Sequence, residues 1–278
     1  MIQFVREYLL AVQFFTRIPI TGRLADWVGY SPELLRASAA HFPGIGVVVG
    51  AVAAAVFALL LTVLPDTPFA PLVAAALSSV ATVLLTGGFH EDGLADVADG
   101  LGGSDNRERA LEIMKDSRVG AFGAMALVLA LLCKVALLAL LGSVEDTPAE
   151  GEEALFSSWT ICAALWTGHV VSRFMPLLAI RVLPHVGDTA SSKSKPLADQ
   201  ISLSRLLLAL MWCFMALALA SLAVEAIHLM VACSFAGLAQ LWMTRLFKRR
   251  LQGFTGDCLG ATQQVCEIAF YLGLAVSL

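Results

Sequence analysis

Charge is scarce in this chain of 278 residues: Asp, Glu, Lys and Arg together make up only 14% of it, against 58% hydrophobic residues. A soluble domain carries about 25% charged residues. With a mean hydropathy of +0.80, so much apolar surface cannot be hidden in one water-soluble core, and lipid must cover part of it. The net charge of -4 is small. No basic stripe studded with aromatics is present, which argues against nucleic acid as a partner. The six cysteines form no CxxC and no zinc-ligand spacing. Four of them (Cys133, Cys162, Cys213 and Cys233) fall inside apolar runs, and Cys258 and Cys266 open the last one, so all six read as packing residues. There is no internal repeat and no inverted pair of broken helices, a pattern that weakens a secondary-transporter reading. The N-terminal stretch MIQFVREYLLAVQFFTRIPI has no small-residue cleavage site, and an acid and bases interrupt its apolar residues, so it is not a signal peptide.

What is present is a series of apolar runs. Phe4, Tyr8, Leu9, Val12 and Phe15 recur at helical spacing and predict an amphipathic helix lying in the membrane interface, stopped before Pro19. Seven runs follow, near 42–64, 69–88, 119–141, 156–180, 204–224, 227–246 and 259–278. Each is close to the ~20 residues that cross a hydrocarbon core, and the last is the shortest. All the bases except Lys134 and Arg173 fall in loops on one side of this map, while the opposite loop 142–155 holds Glu145, Asp146, Glu150, Glu152 and Glu153. The positive-inside rule then predicts a cytoplasmic N-terminus and an outward C-terminus. The fold class expected is all-α: a polytopic integral membrane protein of about seven transmembrane helices plus the interfacial helix, in a single domain over 1–278. Gly46 and Gly50, four apart, have the spacing of a close helix–helix contact.

The chemistry concentrates in residues 89–118, FHEDGLADVADGLGGSDNRERALEIMKDSR. On a helix continuing the second span, Asp92, Asp96 and Asp99 share a face roughly 60° wide, with Glu91 about 100° away. Carboxylates so placed repel one another and raise each other's pKa, and a divalent cation resolves the conflict. Oxygen donors without thiolate or imidazole partners suit Mg²⁺ or Mn²⁺. A solvated acidic loop is the competing reading. Against it stand the i, i+4, i+7 spacing, the small and apolar residues between the acids, and the absence of Lys or Arg within the cluster. His90, at the membrane edge, reads as an interface residue or a hydrogen-bond partner sooner than as a ligand. A helix is expected over 106–118 with Asp105 at its N-cap and Glu108 completing a capping box. Its bases Arg107, Arg109, Lys115 and Arg118 flank the acids, as a bound diphosphate requires; positive-inside loop charge is the plainer account of each one singly.

A second polar island, Gly253 to Thr262, opens the last run. Asp257 there is level with the first cluster and has three open roles: a further ligand, a base, or a helix cap. Glu267 lies inside the span and should face a polar cavity or a cation. Arg173 lies four residues after His169 on one helix face and can snorkel to the edge, which makes it a candidate substrate-facing residue; Lys134, at similar depth, is a weaker one.

FHEDGLADVADG, RERALEIMKDSRVGAFG and TGDCLGA, taken together with FFTRIPI and FPGIGVVVGA, resemble the cobalamin synthases, the adenosylcobinamide-GDP ribazoletransferases. The resemblance runs from about residue 4 to 270 and is weakest over 142–200. It implies a bacterial inner (cytoplasmic) membrane enzyme in which α-ribazole, or its 5'-phosphate, displaces GMP from adenosylcobinamide-GDP with Mg²⁺, giving adenosylcobalamin or its 5'-phosphate. The reading that follows places Asp92, Asp96, Asp99 and Asp257 on the metal and in catalysis. Substrate binding falls to Arg109, Lys115, Arg118, Arg173 and His90, with the two substrates and the lipid bilayer as partners. A looser likeness links Asp92-Gly93 to the CDP-alcohol phosphotransferases, but Ala95 is followed by Asp96 where those enzymes have arginine. That likeness leaves a lipid-synthesis phosphotransferase as one alternative; a cation transporter is the other.

Overall fold

The computed structural model describes residues 2–144, 159–187 and 200–278. The acids of loop 142–155 from Glu145 onward, and Lys193 and Lys195, lie outside the described residues. Helix is the only regular structure of any length among those described, apart from one isolated bridge between His185 and Phe254.

The chain opens with α1 (Ile2–Phe15), followed by the short α2 (Gly22–Val28) and α3 (Pro32–Ser38) and a 3₁₀ turn into α4 (Phe42–Val63). α5 (Ala70–Thr86) returns, α6 (Phe89–Gly103) and α7 (Arg107–Ile113) carry the acidic segment, and α8 (Ala121–Ser143) follows. The remaining helices are α9 (Trp159–Val182), α10 (Leu203–Ala220), α11 (Ala226–Arg250) and α12 (Gly256–Ser277).

Six of these helices are long and apolar enough to cross a membrane, and α5 with α6 forms a bent pair that brings the number to as many as seven. The expected runs therefore appear as helices, the last included: α12 is a full 22 residues. Most of α9 and α12 is buried, whereas most of α8 and α10 is not. The centre of the bundle is thus α9 and α12, and side chains such as Leu129, Leu132, Phe214 and Leu222 form its exposed apolar exterior, which lipid must cover.

Small residues set the closest approaches. A Cβ on Gly46 would lie 2.4 Å from the His169 carbonyl oxygen, and one on Gly50 would lie 2.8 Å from the Trp166 Cα. The two glycines therefore let α4 pack backbone to backbone on α9, the contact their spacing predicted. Ser78 Oγ donates to the Ala53 carbonyl at 2.9 Å and ties α5 to α4.

The N-terminal helix forms and is amphipathic: Glu7, Leu10, Ala11, Val12 and Phe15 are buried against the bundle, while Ile2, Gln3, Val5 and Gln13 are exposed. Sequence periodicity misses Glu7 because a carboxylate does not count as apolar. Its burial is balanced by the Arg205 guanidinium on α10, which donates to both carboxylate oxygens.

The acidic segment does not continue the second span. α5 ends at Gly87 and Gly88, both with φ of 71°, the left-handed conformation that glycine adopts without a Cβ clash. The amide of Gly88 closes on the Val83 carbonyl at 2.9 Å. The axis then turns by 91° into α6. α6 accordingly leaves the axis of α5 and packs against the first turns of α8 and α12. Of the helix expected over 106–118, only Arg107–Ile113 is α-helical, and its cap is Asn106, whose side chain accepts from the Arg109 amide at 2.8 Å. Asp105 lies one residue outside it and pairs with Arg250 at 3.1 Å.

Candidate functional site

α6 and α12 cross where neither has a side chain in the way. A Cβ on Gly93 would stand 2.8 Å from the Asp257 carbonyl oxygen and 3.0 Å from its Cα, and one on Gly260 would stand 3.3 Å from the His90 Cα. The polar island is pinned from the other side by the turn before it. Phe254 accepts from the Val186 amide at 2.9 Å and donates its own amide to the Pro184 carbonyl at 3.0 Å. Gly253 makes this possible, since a Cβ there would lie 2.4 Å from the Pro184 carbonyl oxygen. Thr255, not Asp257, is the N-cap of α12: its hydroxyl accepts from the Cys258 amide at 3.4 Å and donates to the Asp257 carboxylate at 3.2 Å. This frees Asp257 from the capping role and leaves it facing α6.

The consequence falls on Asp96. Half-buried between the helices, its carboxyl is pushed up to about 7, first by burial and then by the negative charges of Asp257, Asp92 and Asp99. Asp92 is exposed and opens onto a cleft of about 780 Å³. Asp96 thus meets like charge from both helices, although Asp92 and Asp257 are 165 residues apart in sequence.

Asp99 has a second task. Its Oδ2 accepts from the Gly120 amide at 2.7 Å and its Oδ1 from the Gly123 amide at 2.8 Å. These are the first free N–H groups of α8, so Asp99 caps that helix from a distance. A Cβ on either glycine would come within 2.4 Å of an Asp99 oxygen. The carboxylates whose oxygens remain open to a cation are those of Asp92, Asp96 and Asp257. As the side chains stand, no three His, Cys, Asp or Glu groups among the described residues converge closely enough to hold a metal ion. Their donor chemistry nevertheless fits a hard divalent cation: oxygen only, mutually repelling, and with no base among them.

The candidate substrate-binding residues divide into two sets. Arg109 and Arg118 are exposed and pair with their own neighbours, Arg109 with Glu112 at 2.6 Å and Arg118 with Asp116 at 2.5 Å. Lys115 is exposed on the same segment. These three lie on α7 and the turn after it, beside α6. His90 and Arg173, by contrast, are sealed in the interior. His90 stacks on Phe42 with ring centroids 5.6 Å apart. Arg173 does not snorkel: its Nη1 lies 3.0 Å from both the Nδ1 and the carbonyl oxygen of His169, and its guanidinium sits 5.8 Å from the centre of the Phe42 ring.

Sequence reasoning missed what these buried groups belong to. Glu267 is met by the ammonium of Lys134 at 2.6 Å, by His169 Nδ1 at 3.3 Å, by the Tyr271 hydroxyl at 3.2 Å and by Gln263 Nε2 at 2.5 Å. Gln264 then bridges from Gln263 (2.9 Å) to Glu91 (3.0 Å) on α6. A continuous polar chain therefore runs from the centre of the bundle to the residue beside Asp92. The signal in the sequence was the pair of glutamines in an otherwise apolar run, together with lone opposite charges in two different spans.

The family description "cobalamin-5-phosphate synthase" matches residues 7–275. Similar proteins include the adenosylcobinamide-GDP ribazoletransferase of Polaromonas naphthalenivorans (strain CJ2), 78% identical over all of both chains. That of Albidiferax ferrireducens is 63% identical over all of both chains, and that of Shewanella piezotolerans is 40% identical over 97% of this chain and 94% of its own. No solved structure matches.

Proposed function

We infer the details of the reaction from one premise: this chain belongs to the cobalamin-5-phosphate synthase family. It is a transferase of cobalamin biosynthesis, with the activity for which its relatives are named, adenosylcobinamide-GDP ribazoletransferase.

The finer reading is a phosphoryl transfer at the meeting of α6 and α12. The hydroxyl of α-ribazole, or of its 5'-phosphate, attacks the cobinamide-side phosphorus of adenosylcobinamide-GDP. A new O–P bond forms, the bond to GMP breaks, and the hydroxyl proton passes to a carboxylate of the set. Asp92, Asp96 and Asp257 would hold Mg²⁺, or Mn²⁺ in its place. When bound, such a cation neutralises the diphosphate and steadies the departing GMP. Asp99 supports the site by fixing the start of α8 beside it. Arg109, Lys115 and Arg118, all exposed, are the candidates for the GMP phosphate; Arg109 and Arg118 can each exchange the present carboxylate neighbour for a phosphate. Arg173 and His90 act from inside the bundle, where they hold α9 and α6 in place. The side that carries the bases faces the cytoplasm of a bacterial inner membrane, so both substrates arrive from the cytosol.

The observation that carries this reading is the confrontation of Asp96 with Asp257, Asp92 and Asp99, in which burial and three like charges hold its carboxyl up at about 7. The test is direct. Detergent-purified protein is incubated with adenosylcobinamide-GDP, α-ribazole and Mg²⁺, and GMP and cobamide are quantified. Wild type should form both. EDTA-treated protein and the Asp92→Asn variant should form neither. Activity that survives EDTA removes the metal from the mechanism, and full activity in Asp92→Asn moves the site elsewhere.

A further inference from the structure

The cleft onto which Asp92 opens contains a second charged group that the reaction as described does not use. It is bounded by the end of α1, the α5–α6 elbow and the first half of α8, with apolar walls from Phe14, Phe89 and Leu127. Arg17 lines it together with Asp92.

Arg17 is held there by its backbone. Its amide donates to the Leu85 carbonyl at 2.7 Å, which ties the chain after α1 to the last turn of α5. The turn is stiffened by Thr16, whose hydroxyl donates to the Val12 carbonyl (2.7 Å) and accepts from the Ile18 amide (3.1 Å). The guanidinium lies against Gly87, where a Cβ would fall 2.1 Å from its Nε. The first glycine of the elbow thus does two things: it turns the chain, and it leaves the space the guanidinium occupies. Eight of the thirteen arginines (Arg6, Arg36, Arg107, Arg109, Arg118, Arg173, Arg205 and Arg250) bind an acid or a carbonyl, and of the other five Arg17 is the one that lines this cleft. The Arg17 side chain is exposed and has no such bond to any described residue.

A positioned guanidinium without an acid, sharing a cleft with a carboxylate that has oxygens to spare, is an arrangement for an anion that also carries a cation. A planar fork of N–H donors matches phosphate oxygens, and a cation held by Asp92 would take the rest. We propose that this cleft is a phosphate subsite and that Arg17 is its phosphate-binding residue. The proposal deepens the transferase reading and rests on it for the identity of the phosphate. Two substrate groups have this chemistry: the diphosphate of adenosylcobinamide-GDP and the 5'-phosphate of α-ribazole 5'-phosphate.

The test has one arm with no turnover. The full-length protein, its Arg17→Ala variant and its Arg17→Lys variant are titrated with inorganic pyrophosphate and Mg²⁺ in a calorimeter. Loss of a charge-assisted fork should weaken binding roughly 10- to 100-fold in Arg17→Ala, with partial recovery in Arg17→Lys. Should the alanine variant fail to fold, Arg17→Gln, of closer length, replaces it. The second arm measures KM for adenosylcobinamide-GDP, for α-ribazole and for α-ribazole 5'-phosphate. A rise in the first, whichever acceptor is used, assigns the cleft to the diphosphate. A rise confined to α-ribazole 5'-phosphate assigns it to the acceptor. Pyrophosphate binding as tight in Arg17→Ala as in wild type, with all three KM values unchanged, overturns the proposal. An inactive wild type whose pyrophosphate binding still depends on Arg17 would instead sink the transferase reading and leave the subsite standing.

Discussion

Lys134 Nζ lies 2.6 Å from Glu267 Oε1, and neither side chain is more than 2% exposed. One residue comes from α8, which is otherwise mostly exposed to the bilayer, and the other from α12 at the centre of the bundle. The pair is therefore what faces α8 inward at this level. Taking one partner away leaves the other as an uncompensated charge in an apolar interior, which costs about 3–5 kcal/mol in buried pairs. Lys134→Met should accordingly lower the melting temperature in detergent sharply, as should Glu267→Leu, which also strands Gln263, His169 and Tyr271. An unchanged melt for Lys134→Met would show that the ammonium contributes nothing to holding α8.

Asp96 gives the site a pH dependence with a defined sign. An ordinary aspartate titrates near 3.8, whereas this one is raised to about 7. Between those values the folded, metal-free protein holds a proton that the unfolded chain has released. Its stability should therefore fall as pH rises from about 4 to about 7. A divalent cation competes with the same proton, so its apparent affinity should climb as pH rises through about 7. Melting curves in EDTA and in Mg²⁺ across this range measure both. Asp96→Asn should flatten the first trend and abolish the second. A metal affinity that is level across the range would exclude Asp96 from the cation site.

Asp99 separates structure from chemistry within the same motif. Its two oxygens each take one α8 amide. Asn in its place offers one acceptor and no charge, a change expected to cost about 1–3 kcal/mol. If the carboxylate serves as a cap, Asp99→Asn should melt earlier than wild type yet show the same Mg²⁺ concentration for half-maximal GMP release. A shift in that concentration as large as for Asp92→Asn would make Asp99 a ligand after all.

These cases show what the chain discloses unaided. Apolar runs disclose the spans because each needs only a length and a composition. Asp92, Asp96 and Asp99 share a helix face whichever way the helix points, so their grouping was visible at once. The direction of that helix was not read correctly, although Gly87 and Gly88 were the signal: paired glycines after an apolar run are a helix C-terminus, and here they turn the chain by 91°. Asp105 and Asn106 are both good caps, and local sequence cannot choose between neighbours of equal propensity. Partners distant in sequence stayed hidden. Nothing near Asp99 announces the amides of Gly120 and Gly123, and nothing near Lys134 announces Glu267.

The crossing of α6 on α12 is the feature on which the site depends most directly, and Gly93 controls it. A methyl group there would stand 2.8 Å from the Asp257 carbonyl oxygen and 3.0 Å from its Cα. Both are backbone atoms, so no side chain can swing aside and the helices must separate. Forced separations of this kind cost about 1–3 kcal/mol. The separation also moves Asp92 and Asp96 away from Asp257, so Gly93→Ala should weaken the apparent Mg²⁺ affinity and lower GMP release at saturating substrate together. Gly237→Ala is the control: it lies in α11, a Cβ there meets nothing within 4 Å, and alanine is the better helix former by about 1 kcal/mol. That variant should match wild type in activity and melt no earlier. If Gly93→Ala behaves like the control, the close approach of α6 to α12 is not what brings the carboxylates together.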